Sequence, residues 1–182
     1  VTSKLLFALL VPLVGTIGVM LKGENENIRE AISSISSIIL FAIVCSMIPA
    51  IFSGKTLYFQ LFTILPNVSI TLRADPMSMI FACVASSLWT IAVFYSMGYM
   101  RGLKEHAQTR FNACFALAIF GAIGVAFSDN LFTMYLFYEV VSVCTYPLVA
   151  HHQDQEGYDG GRKYLVYLTA TAKTFLLPAM IL

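Results

Sequence analysis

Charge is scarce in this chain of 182 residues. Asp, Glu, Lys and Arg make up 12% of it, and the signs nearly cancel: 11 basic against 10 acidic residues, a net charge of +1. With no basic stripe interleaved with aromatics, the chain has no footprint for nucleic acid, which is set aside as a partner. Cysteine is sparse too. Cys45, Cys83, Cys114 and Cys144 each sit in an apolar run and share no C-x-x-C spacing, so they read as small apolar core residues rather than metal ligands or disulfides. Histidine is missing from every apolar run. His106, His151 and His152 all fall in polar connectors, which counts against a haem anchor with ligands inside its spans. Nothing among these residues calls for a cofactor or a metal.

What is abundant is apolar. The chain is 58% hydrophobic with a mean hydropathy of +0.79, which excludes an ordinary soluble domain and points to an all-α, multi-pass membrane protein with its lipid bilayer as solvent. At about 20 apolar residues per crossing, one transmembrane domain, 1–182, is expected to hold about six helices over 4–22, 31–52, 77–100, 111–128, 130–149 and 162–182. The first run is too long for a signal-peptide core and reads as a retained span. The fourth and fifth spans are separated only by "SDN", which makes them an antiparallel pair with Asp129 or Ser128 available to cap the fifth. "KGENENIRE" and "RGLKEHAQTR" read as surface turns. The longest connector, Ser53 to Pro76, is rich in β-branched and aromatic residues around Pro66-Asn67 and predicts a short hairpin on the membrane surface. Asn67-Val68-Ser69 also matches a glycosylation sequon, a pattern common by chance.

Basic residues set the expected orientation. Lys4, Lys55 and Arg73 fall on the N-terminal side, whereas Lys22, Arg29, Arg101, Lys104, Arg110, Arg162 and Lys163 fall on the other. The positive-inside rule places the second group in the cytoplasm and the N-terminus outside, in a prokaryotic inner membrane.

Two charges belong to neither side. Glu139 lies near the middle of the fifth span, in "LFTMYLFYEVVSVCTYPLVA", and Lys173 lies about 16 Å into the sixth, a similar depth. Ionisable residues at that depth are expensive and usually functional. Tyr135, Glu139, Ser142 and Tyr146 recur at helical spacing as one polar face, and Thr169 shares a face with Lys173. Burial disfavours the charged form of either group and a close opposite charge restores it, so moving a lysine toward and away from Glu139 would release and load a proton. Two other readings stand beside this one: an ion pair that only orders helices in a structural scaffold, and a quinone or haem anchor. His151 and His152 are candidates to pass protons toward Glu139, and Arg162 and Lys163 read as interfacial anchors beside the solvated Asp154 and Asp159. Pro147 is placed to free a carbonyl near Val143.

Several stretches taken in order resemble a known family. "RADPMSMIF" and "FYSMGYM" resemble the start and end of its third span. "RFNACFALAIFGAIGVAFSDNLFTMYLFYEVVSVCTYPLVAHH" is similar to its fourth and fifth, and "GGRKYLVYL" to the start of its sixth. The family comprises the antiporter-like, proton-conducting membrane subunits of respiratory complex I (NADH:quinone oxidoreductase), Mrp-type cation/proton antiporters and membrane-bound hydrogenases. "TYPLVAHH" and "GGRKYL" lean toward the Mrp and hydrogenase branch. The resemblance implies a fold of about fourteen spans built from two inverted repeats, of which this chain would be the N-terminal part, an incomplete or split subunit. It implies that the fifth-span carboxylate, at the position of Glu139, is an essential proton-handling residue. Its usual partner is a lysine on the seventh span, so Lys173 departs from the pattern. It further implies other membrane subunits of one complex as partners, and protons as cargo, with Na+ the second candidate.

Overall fold

The computed structural model describes residues 3–65, 68–103 and 106–181; Asn67, the acceptor position of the sequon, lies outside them. In chain order the elements are α1 (Ser3–Lys22), α2 (Glu26–Phe52), the strands β1 (Leu57–Leu65) and β2 (Val68–Ala74), α3 (Pro76–Leu103), α4 (Gln108–Ala126), α5 (Leu131–Val149) and α6 (Gln155–Thr171). A π-helical turn, Ala172–Leu176, follows α6 directly and leads into α7, Leu177–Ile181. Among the described residues five helices, α1 to α5, are long and apolar enough to cross a membrane. The sixth expected span falls on the run from α6 to α7, which is not among those five. It begins at Gln155 rather than Arg162, because Asp154 caps it by accepting the Gly157 N–H at 2.6 Å.

Antiparallel packing follows the short connections: α1 lies against α2 and α4, α2 against α3, α4 against α5, and α5 against α6. Small residues bring the helices together, as is usual where lipid removes the hydrophobic drive between them. At Gly124 the fit is close, since a β-carbon there would overlap the Phe137 ring of α5. Leu5, Leu40, Val44, Met47, Trp89, Ile123 and Phe127 form the core, joined by Leu57 and Leu72 from the hairpin. The outer faces are apolar and exposed, with Ile80, Val84, Leu88 and Ile91 in line along α3. Such faces suit lipid or neighbouring membrane helices.

The expected hairpin is present, β1 pairing antiparallel with β2. It does more than lie on a surface. The Arg73 N–H of β2 donates to the Phe127 carbonyl at 2.6 Å, and the Asp129 N–H donates to the Thr71 carbonyl at 3.1 Å, so β2 holds the turn between α4 and α5. The cap of α5 is neither Asp129 nor Ser128. Asn130 takes that role, accepting the Thr133 N–H at 2.7 Å, because Asp129 is turned outward to Arg73 at 3.3 Å. α3 begins with a reciprocal cap: the Ser78 N–H donates to Asp75 Oδ1 and the Asp75 N–H to Ser78 Oγ, both at 2.8 Å.

"KGENENIRE" is not a simple surface turn. α2 begins at Glu26, and Arg29, only 4% exposed, reaches across the bundle. It donates to the Gly23 carbonyl at 3.1 Å and to Thr109 Oγ1 at 3.4 Å, and bonds Gln108 Oε1 as well. The guanidinium fork satisfies carbonyl and amide acceptors at the end of α1 and the start of α4, which is why a charged side chain is drawn inward.

Candidate functional site

α5 starts from its Asn130 cap and the hairpin, and carries Glu139 to mid-helix. The Oε1 of Glu139 is buried and has no hydrogen-bond partner; among the described residues no other carboxylate oxygen is in that state. Tyr135, one turn earlier, interacts with the Glu139 carboxylate through that group's charge and through its own hydroxyl, which stands close to the carboxylate without a hydrogen bond to Oε1. Ser142 is buried as the sequence pattern expects, but its hydroxyl donates to the Tyr138 carbonyl at 3.0 Å and is spent on its own helix. Tyr146 lies against α6, where a β-carbon at Gly161 would come within 2.9 Å of its ring. Pro147 sits inside α5, which continues to Val149.

Lys173 is not paired with Glu139 in this structure. The ion pairs among the described residues are Arg73–Asp75, Arg73–Asp129 and Arg101–Glu30. Lys173 is exposed, whereas Ala172 is 2% exposed. The backbone gives the reason. The π turn inserts an extra residue into the helical repeat, so Ala172 takes the inward position beside α5 and Lys173 is turned away. Thr169, in α6 just before the turn, is half-buried.

His151 and His152 are brought together with a third histidine that lies 45 residues earlier. The His106 ring stands 5.0 Å from His151 and 6.1 Å from His152, and His151 and His152 are 5.7 Å apart. His106 Nε2 is 3.1 Å from the His151 carbonyl, which also accepts from Arg110 Nη2 at 2.8 Å. His106 carries no local signal for this role, being one polar residue in a polar connector.

Two further side chains escaped sequence reasoning. Thr145 Oγ1 and the Tyr164 hydroxyl are 2.8 Å apart, linking α5 to α6 between the histidines and Glu139. A threonine in a spanning helix and a tyrosine at the start of one look ordinary in sequence, the second as part of an interfacial aromatic belt.

The comparisons with known proteins bear on the family and the fold. Residues 63–112 match the family described as "NADH-Ubiquinone oxidoreductase (complex I), chain 5 N-terminus", and residues 128–182 match "NADH:quinone oxidoreductase/Mrp antiporter, TM". The chain belongs to the antiporter-like membrane subunits of complex I and Mrp-type complexes. Among relatives of this antiporter-like family, it is 28% identical over 148 residues to "Na(+)/H(+) antiporter subunit A1" of Staphylococcus haemolyticus, covering 80% of this chain and 18% of that protein. It is 30% identical over 132 residues to "NAD(P)H-quinone oxidoreductase subunit 5, chloroplastic" of Chara vulgaris, covering 69% and 20%. The chain thus spans about a fifth of the length of the curated relatives it matches. A chain of the membrane-bound sulfane sulfur reductase, an archaeal respiratory membrane complex, has the same fold with a TM-score of 0.82 at 18% identity, covering 95% of this chain and 35% of that one.

Proposed function

We propose that this chain is part of a proton-translocating subunit of a larger membrane complex, with Glu139 as the carboxylate that loads and releases the proton. One observation carries the reading: a carboxylate oxygen buried in a spanning helix with no hydrogen-bond partner. Such an atom is expensive to keep unless something mobile visits it, and a proton is the smallest visitor. Family membership supports the same reading, as does the name of the staphylococcal relative, which gives Na(+)/H(+) exchange as that protein's activity. The cargo is the proton, with Na+ the second candidate, and the partners are other membrane subunits of the complex.

The charge that modulates Glu139 is a lysine that approaches and withdraws. Lys173 is this chain's candidate, carried by a π turn that packs beside α5. His151 and His152, with His106, form the end from which protons reach Glu139, the cytoplasmic end if the N-terminus is outside. The experiment is Glu139→Gln in the assembled complex, with proton uptake followed in vesicles. Flux should fall by roughly a hundredfold, the lower end of what a positioned proton-transfer group contributes. Normal flux in an assembled variant overturns the reading.

A further inference from the structure

Between the histidine end and Glu139, the bond from Thr145 to Tyr164 joins two hydroxyls, and either oxygen can be the donor. Thr145 Oγ1 is also 2.8 Å from the Val141 carbonyl and 3.2 Å from the Ser142 carbonyl. Its single proton therefore has alternatives: when it turns to the backbone, Tyr164 donates to Thr145, and when it turns to Tyr164, the bond runs the other way. A proton wire requires this reversibility, because each passage leaves the hydroxyls pointing the wrong way and they must turn back.

Placement supports the same conclusion. Thr145 is about 9 Å along α5 from Glu139, and the histidine cluster begins about as far beyond it in the other direction. Tyr164 reaches Thr145 because α6 approaches α5 closely at buried Gly161, one turn earlier, where the Tyr146 ring fills the space a β-carbon would need.

We propose that Thr145 and Tyr164 form a proton relay between the His106–His151–His152 end of the bundle and Glu139. A proton arriving from the histidine end binds the Tyr164 oxygen as Tyr164's own proton passes to Thr145 Oγ1. Thr145's proton leaves through water to the Glu139 carboxylate. At each hydroxyl one O–H bond forms as another breaks, so both end neutral and Glu139 gains the proton. The relay rests on the reading of Glu139 as the proton-handling residue.

The test is proton flux by the assembled complex in vesicles, in H2O and D2O, for Tyr164→Phe, Thr145→Val and Thr145→Ser. The relay predicts that Tyr164→Phe and Thr145→Val each lower flux about tenfold, because water only partly replaces a positioned proton-transfer group. Both should raise the solvent isotope effect, and Thr145→Ser, which keeps the hydroxyl, should restore flux and isotope effect together. A mere helix tie would leave the isotope effect unchanged in every variant, and that result overturns the relay. If Tyr164→Phe fails to assemble, Thr145→Val carries the test alone, since valine keeps threonine's branched shape. Loss of flux in Glu139→Gln with full flux in both hydroxyl-deleting variants overturns the relay only. Full flux in Glu139→Gln overturns the reading beneath it.

Discussion

Arg73 Nη1 lies 3.3 Å from Asp129 Oδ1, and the same arginine's backbone N–H holds the Phe127 carbonyl. The hairpin is thus fastened to the turn from which α5 departs, by one exposed ion pair and several sheltered hydrogen bonds. These two kinds of contact differ in strength. Arg73→Ala should cost about 1 kcal/mol or less, as exposed pairs do. Asn130→Ala should cost more, about 2 kcal/mol, because it removes the helix cap and the bonds from Nδ2 to the Ser69 carbonyl and Thr71 Oγ1, both at 2.8 Å. Thermal unfolding in detergent gives both values.

The cap of α3 carries a pH dependence. The Asp75 carboxyl is held below its ordinary 3.8, first by the Ser78 N–H and further by the Ser78 hydroxyl and Arg73, against an opposing effect of burial. The unfolded chain therefore takes up the proton first as pH falls, and stability rises with pH in that window. The contribution should be fully present above 3.8 and fade as pH drops below it toward the lowered folded value. Asp75→Asn should flatten that part of the stability profile, measured by unfolding at a series of acid pH values.

Arg29 should tolerate no simple replacement. Arg29→Ala removes one donor each from the Gly23 carbonyl and Gln108 Oε1, and the Gly23 carbonyl keeps the Thr109 hydroxyl at 2.8 Å, so the loss should be about 1–3 kcal/mol in all. Arg29→Lys should recover only part of the loss, because an ammonium cannot reproduce the planar fork. Melting temperatures of the two variants decide the matter.

Gly124→Ala should destabilise by about 1–3 kcal/mol, the range for overpacked cores, since its β-carbon would overlap the Phe137 ring. Phe137→Leu in the same chain should recover part of that loss by making room, an interaction between neighbours that a double-mutant cycle detects.

Lys173 separates stability from transport. It is exposed and pairs with nothing among the described residues, so Lys173→Ala should change stability by no more than about 0.5 kcal/mol. If it is the moving partner of Glu139, the same variant should lose proton flux in vesicles. Unchanged flux would assign the partner lysine to another segment of the complex.

The sequence by itself determined the membrane class, the positions of the five long apolar helices, the hairpin and the mid-helix place of Glu139. Each is a local property: run length, β-branched and aromatic content around Pro66-Asn67 and position within a helix need no knowledge of neighbours. It misjudged Arg29 and the cap of α5, because which polar group meets which carbonyl depends on elements far apart in the chain. It could not see that Lys173 turns away from α5, since a π turn shifts the helical phase on which the shared face was reckoned. Only the tertiary structure decided that His106 joins His151 and His152, and that Thr145 meets Tyr164. In helices apolar on nearly every side, periodicity does not say which face meets a partner. That choice is made by close packing at small residues such as Gly124 and Gly161, whose effect appears only once two helices touch.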